Sequence, residues 1–483
     1  MRRLAERILW ILLALLTAAH LALFLYVIGR RFTYGFDLEW MEGGMLLHAK
    51  RIADGQPIYA PPSIDFVPYL YTPLYPAVVA VLGKIFGIGY ALGRFVSLAS
   101  LAAAIVLGYR SARRAEAPHA VAAAAMVAVL AAFPFVGQWY DLVRNDELFL
   151  ALGMAGFYVA ATRPTPRGAM LAAGLLVASY FAKQTGEALL VAGLVLILIM
   201  NWRVAWIYTV TAGALWGGLV LILNATSHGW FWNWCFRAHA HHDFNLKRVF
   251  FFAPKALFEH APVIWIGGTI ALILALAARA LDRFKLAWIL VGATGVGLAC
   301  LGFGTQWAWT NAYIPGVFFP MVSLAVLTPT TTINRFLVPA IFAVHLGMHF
   351  YNPRPFCPTP ADRAAGKALL ARIAAAPGDV FVPFHPWYPV AVGKRATVHR
   401  MGVLDAPSSG FGRPAGLDAA LLEGRFALVI VDNKIRWEEE FPTLRTRYHI
   451  VAALEPARDA PRTFAGADTT PRWVLAPNEA PHP

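Results

Sequence analysis

"MRRLAERILWILLALLTAAHLALFLYVIG", residues 1–29, sets a basic start ahead of about twenty apolar residues and has no small-residue cleavage site. It reads as a membrane span that is kept rather than a leader that is removed. The rest of the chain has the same character. Of its 483 residues, 58% are hydrophobic and 14% charged, where soluble domains carry roughly 25% charged residues. Composition therefore predicts an integral membrane protein. The net charge of +14 fits cytoplasmic loop anchoring, and no zinc-finger spacing or basic–aromatic platform points to nucleic acid as a partner. The cysteines, Cys235, Cys300 and Cys357, make no metal-ligand spacing.

Further apolar runs begin near Ala91, Ala120, Glu147, Gly168, Glu187, Val204, Ala261, Leu286, Ala308 and Ile333. With the first, they predict about eleven transmembrane helices. Basic clusters fall between them: "RSARR" (110–114), "RPTPR" (163–167), "NWR" (201–203), "RALDRFK" (279–285) and Arg335. They alternate with less basic loops, which places the N-terminus in the cytoplasm and the C-terminus outside. "YTPLYPAVVAVLGKIFG" (71–87) would reverse that orientation if it crossed; two prolines and Lys84 suit a helix at the outer interface instead.

From residue 352 the composition changes. "TPADRAAGKALLARIAAAPGD" carries an N-cap candidate in Thr359, Pro360 in the first turn and a Pro-Gly stop. "VFVPF", "FALVIVD" and "YHIVAAL" are short strand-like runs. The expected fold is mostly α: a polytopic membrane domain over residues 1–351, interfacial helices in a first outer loop (30–90), and a small extracytoplasmic α/β domain over 352–483.

Four stretches carry candidate chemistry, all expected on the outer side. "FDLEWMEGG" (36–44) sets Asp37, Glu39 and Glu42 close together beside an apolar interface, more acid than a helix cap requires. "YDLVRNDELFLAL" adds Asp141, Arg144, Asp146 and Glu147 where one span ends and the next begins. "AKQTGE" places Lys183 and Gln184 between two spans, and a cation at that rim suits a phosphate. "FRAHAHHDFNLKR" (236–248) supplies His239, His241 and His242, whose spacing matches no metal motif and suits substrate contact. In the tail, "FVPFHPWYP" offers His385 and Trp387 for contact with a sugar or lipid headgroup.

Taken in order, the acidic first loop with "DGQPIY", then "YTPLYP", "FGIGYALGRFVSLAS", "RNDELFLAL" and "AKQT" resemble the GT-C membrane glycosyltransferases. Within these the set is similar to the bacterial branch related to protein O-mannosyltransferases and aminoarabinose lipid A transferases. The resemblance covers residues 1–351. It implies transfer of a sugar from a polyprenyl-phosphate donor to a glycan, lipid or protein acceptor, by inversion, at a bacterial inner membrane; no cofactor is expected, and the histidine spacing assigns no metal. The resemblance maps the family's signature acid onto Asp37 and Glu39, with Glu42 as the rival in the same helix, a second acid onto Asp146 and the phosphate-facing cation onto Lys183; Asp37 is the expected base, and Arg144 and Gln184 are expected to bind the donor phosphate with Lys183. The alternative reading, a transporter or lipid flippase, expects ionisable groups midway along spans and broken helices in paired halves.

Overall fold

Arg2–Phe32 is one continuous helix that turns Ile8, Ile11, Leu15 and Leu25 outward. An apolar surface of that kind is stable only against lipid. The computed structural model describes residues 2–432 and 437–478. His119–Ala131 is the opposite case: "HAVAAAAMVAVLA" is buried almost throughout and touches the first helix, Tyr90–Arg114, Ile314–Val326 and Asn334–Met348. Alanine keeps side chains short on every face, so four neighbours can close around it.

All eleven apolar runs are helical. Among the described residues, five segments are long and apolar enough to cross a membrane: Arg3–Phe32, Tyr90–Arg114, Gly186–Thr226, Arg283–Gly304 and Thr310–Thr330. A sixth results if Arg248–His260 and Pro262–Ala277, bent by 92°, count as one span. The chain is thus a multi-pass helical membrane protein, but length alone does not make every apolar helix a crossing. Asp146–Thr162 and Pro166–Ala182 have 17 residues each, about 25 Å against a hydrocarbon core of about 30 Å. The 71–87 run forms the 13-residue helix Leu74–Phe86, shorter still.

The tail is α/β as expected. Thr359 caps Pro360–Ala375 in a reciprocal box, its hydroxyl accepting from Asp362 N while Asp362 accepts from Thr359 N. Strands β1 (Val380–Phe381), β2 (Leu428–Asp432), β3 (Tyr448–Ala453) and β4 (Pro471–Pro477) form a sheet in the order β1-β2-β4-β3. Only β1 and β2 run parallel. β4, "PRWVLAP", escaped the sequence reading because two prolines frame its short apolar centre; they stand at its ends, where a lost N–H is tolerated. The segments between the strands pin the tail to the first loop: Leu38 O accepts from Phe464 N and Ala465 N, Ile64 O accepts from Val398 N and Ile64 N donates to Ala415 O.

Candidate active site

The segment between Phe32 and Glu42 has no helix or strand of its own, so it needs an external partner for its carbonyls. Arg94 supplies one. Its guanidinium, fully buried on the helix Tyr90–Arg114, donates to the carbonyls of Tyr34, Phe36 (2.7 Å) and Arg31 (3.3 Å). It also forks onto Glu42 at 3.1 and 2.8 Å. Glu42 accepts two further bonds, from Leu38 N (2.6 Å) and Val143 N (2.8 Å). Four donors on two buried oxygens leave Glu42 no room for a substrate; it ties the loop to two neighbouring segments. The glycines that follow serve close approach. A Cβ on Gly43 would lie 2.9 Å from Trp387 Cβ, and one on Gly44 would collide with the Tyr69 ring.

Asp37 is also withdrawn. One oxygen accepts from Gly43 N (2.9 Å) and the other bonds His385 Nδ1 (2.7 Å), whose Nε2 bonds Asp432 (3.0 Å). All three side chains are fully buried. The carboxylate–imidazolium–carboxylate chain thus clamps the tail to the first loop. His385 and Trp387, expected to meet substrate, are buried in that interface, because the segment carrying them fills the gap between loop and sheet. Burial raises Asp37 to about 6, against the opposing pull of His385. Burial also works against charge on His385, but Asp432 and Asp37 outweigh it and raise the imidazole to about 10.

Both values lie above those of the unfolded chain, so the clamp releases stability as pH rises. His385 contributes fully below pH 6.5 and its contribution is lost as pH climbs through about 10. The melting temperature in detergent is expected to fall across that window and to fall less in His385→Gln. Equal slopes for the two proteins would show that the clamp does not hold the tail.

Beside this clamp lies a cavity of about 550 Å³. Glu39, Arg144, Asp146, Lys183, Gln184, His239 and His242 line it, so the structure brings seven of the expected residues together. Asp37, Glu42, His385 and Trp387 do not line it, and His241 is exposed nearby, bonded to Arg237 O at 2.8 Å. Trp40, Trp139, Trp307 and Trp309 add aromatic wall. Phe384, Arg400, Met401 and Asp405 come from the tail, which therefore completes the cavity.

The acids in the cavity differ in what they have left to offer. Asp146 accepts from Trp139 Nε1 (2.9 Å), Asn311 Nδ2 (3.1 Å) and the Lys183 ammonium, so both oxygens are engaged. Asp405 faces His242 at 3.7 Å, beyond hydrogen-bond reach. Glu39 uses one oxygen, Oε2, for Met41 N (3.2 Å) and Arg144 (3.4 Å). Its Oε1 accepts no hydrogen bond among the described residues, and burial raises this carboxyl to about 7, with Arg144 opposing and Glu42 and Asp37 assisting.

The cations differ likewise. Arg144 pairs with Glu39, Lys183 with Asp146 and Arg400 with Glu440. Arg248, which the sequence reading passed over, has no carboxylate partner among the described residues; it donates to the carbonyls of Thr305 (3.2 Å) and Ala308 (3.0 Å) and lies over the Phe303 ring. The signal available was faint: "NLKR" at the end of an aromatic outer loop.

The fold is thus a helical membrane bundle with a cavity of acids, cations and indoles beneath a small α/β cap. The structure of ArnT from Cupriavidus metallidurans bound to undecaprenyl phosphate is similar over 96% of this chain and 97% of that one, with TM-score 0.61 and 14% identity. The apo structure of the same protein covers the same shares at 14% identity, with TM-score 0.39. No protein-family model matches the sequence, and neither does any curated protein sequence. The chain has the GT-C fold.

Proposed function

We propose that the protein is a glycosyltransferase that takes a sugar from a polyprenyl-phosphate carrier and passes it, with inversion, to an extracytoplasmic acceptor. One observation carries the reading: among the described residues, Glu39 keeps one carboxylate oxygen without a hydrogen bond and shares a cavity with Arg248, a guanidinium paired with no carboxylate. A base and an anion site are what displacement at a phosphorylated anomeric carbon needs. The acceptor hydroxyl oxygen attacks the anomeric carbon, its proton passes to Glu39, and the bond from that carbon to the phosphate oxygen breaks. The electron pair leaves on the phosphate, held by Arg248 and by Lys183, which spends only one of its three N–H groups on Asp146. In this reading the base is Glu39 rather than Asp37, and the Arg144–Asp146–Lys183 network orients the two reacting groups. His239, His242, Arg400 and Asp405 line the side from which an acceptor enters.

Support for the lipid donor comes from the fold: the Cupriavidus metallidurans structure that shares it holds undecaprenyl phosphate. Eleven crossings of the bacterial inner membrane with the N-terminus inside, a membrane domain over 1–351 and an outer cap over 352–483 complete the proposal. Purified protein mixed with a polyprenyl phosphate carrying a labelled sugar is expected to release free polyprenyl phosphate. Arg248→Ala is expected to weaken directly measured donor binding about tenfold or more, the value of one charged hydrogen-bonding group. Movement of intact lipid-linked sugar between leaflets without release would make the protein a flippase instead. Unchanged donor affinity in Arg248→Ala would move the phosphate site elsewhere in the cavity.

A further inference from the structure

A second cluster of ionisable side chains lies away from the cavity and has no part in the reaction. His345 lies in the last turn of the helix Asn334–Met348 and His349, its C-cap, follows four residues later, so both rings project from one face. His260 closes Ala253–His260, at the 92° break before Pro262–Ala277. One ring nitrogen from each of the three lies within 4.8 Å of the other two. The His345 and His349 rings are 4.0 Å apart between centroids, and His260 and His349 4.7 Å. Phe135 stacks on His260 at 3.9 Å and walls the group on one side.

Their hydrogen bonds do not balance. His345 is 1% exposed, yet among the described residues neither of its ring nitrogens has a partner, and His260 Nε2 is orphaned as well. Buried imidazole nitrogens without partners are costly and ask for an explanation. His349 has the reverse problem. Its Nδ1 lies 2.6 Å from His345 O and its Nε2 lies 2.7 Å from His260 O. A neutral imidazole has one N–H, so one of those contacts sets lone pair against lone pair. A cation in the middle of the group takes one lone pair from each ring, so that only one His345 nitrogen still lacks a partner, and it leaves His349 Nδ1–H donating to a carbonyl, the support that metal-bound histidines ordinarily have.

We propose that His260, His345 and His349 bind a zinc ion that fastens the bent pair Arg248–His260 and Pro262–Ala277 to the last apolar helix before the cap. Three imidazoles without a thiolate suit a borderline divalent ion, and a tetrahedral site leaves the fourth position for water or a carbonyl. Zn–N bonds of 2.0–2.1 Å bring tetrahedral ligand atoms to about 3.4 Å from one another, so the rings close inward by about 1 Å on binding. The proposal is independent of the sugar-transfer reading, since none of the three residues lines the cavity.

The test uses the full chain, purified in detergent through a tag free of histidine, equilibrated with Zn²⁺ alone and freed of excess. About one zinc per chain is expected. His260→Ala and His345→Ala should each lower retained zinc about tenfold or more, whereas the double variant His239→Ala/His242→Ala should keep it. Chelation should lower the melting temperature of the wild-type protein. Zinc-edge X-ray absorption on the wild type needs no variant and should show three imidazole nitrogens. Wild-type protein that retains no zinc overturns the site. So does zinc that survives His345→Ala, zinc lost from the His239/His242 variant, or an absorption spectrum dominated by oxygen ligands.

Discussion

Glu39→Gln is expected to reduce sugar transfer by about 10²–10⁴-fold, the usual cost of removing a general base, with donor affinity nearly unchanged. The amide keeps the shape and can still accept from Met41 N and Arg144, so the cavity survives while its proton acceptor is lost. A base held at about 7 must be deprotonated to act. Turnover in the wild-type protein is therefore expected to rise with pH through about 7 and to level off above it. That rise should vanish in Glu39→Gln, measured as kcat/KM from pH 5.5 to 8.5. Asp37→Asn is expected to act differently, loosening the His385 clamp and lowering the melting temperature, while the rise with pH persists with its midpoint moved downward, because one of the charges that raise Glu39 is gone. If Glu39→Gln stays active and either Asp146→Asn or Asp405→Asn is dead, the base lies on the other side of the cavity.

Glu42→Ala is expected to be the most destabilising of the acid substitutions. It leaves the Arg94 guanidinium buried without its carboxylate and orphans the N–H groups of Leu38 and Val143. Breaking a buried ion pair from one side costs about 3–5 kcal/mol. A double replacement, Glu42→Leu with Arg94→Met, removes both charges and should recover part of that loss, since no ion stays uncompensated. The three carbonyls Arg94 now serves would still lack a donor, so recovery should be incomplete. Thermal unfolding in detergent measures both. A Glu42→Ala protein that melts like the wild type would mean that loop 33–41 is held by other contacts and that Glu42 is free for another role.

Both predictions turn on which way neighbouring carboxylates face, and that was not legible locally. Asp37 and Glu39 are two residues apart in a segment without helix or strand, so no periodicity relates their directions. Arg94, more than fifty residues on, captures the loop's carbonyls and sends Asp37 toward the tail and Glu39 into the cavity. The same holds for "FVPFHPWYP": aromatic and imidazole groups in a Pro-rich tail suggested a contact surface, but the tail folds down on the first loop and buries them. Arg248 reads locally as an interface cation, and only its lack of a carboxylate partner among the described residues sets it apart.

What the sequence determined by itself was whatever depends on near neighbours and on solvent. Uninterrupted apolar runs make helices that lipid or protein must cover, and each of the eleven runs is helical. Thr359 and Asp362, three residues apart, close a capping box wherever that helix lies. The i,i+4 pair His345 and His349 belongs to this class too. Their meeting with His260, the burial of Asp37 against His385 and the grip of Arg94 on the first loop belong to the tertiary structure. Each joins groups 50 to 350 positions apart, a distance over which local propensity carries no information. Only helix packing and the docking of the cap decide which polar groups are dehydrated together, and a dehydrated polar group must find its partner wherever the fold puts one.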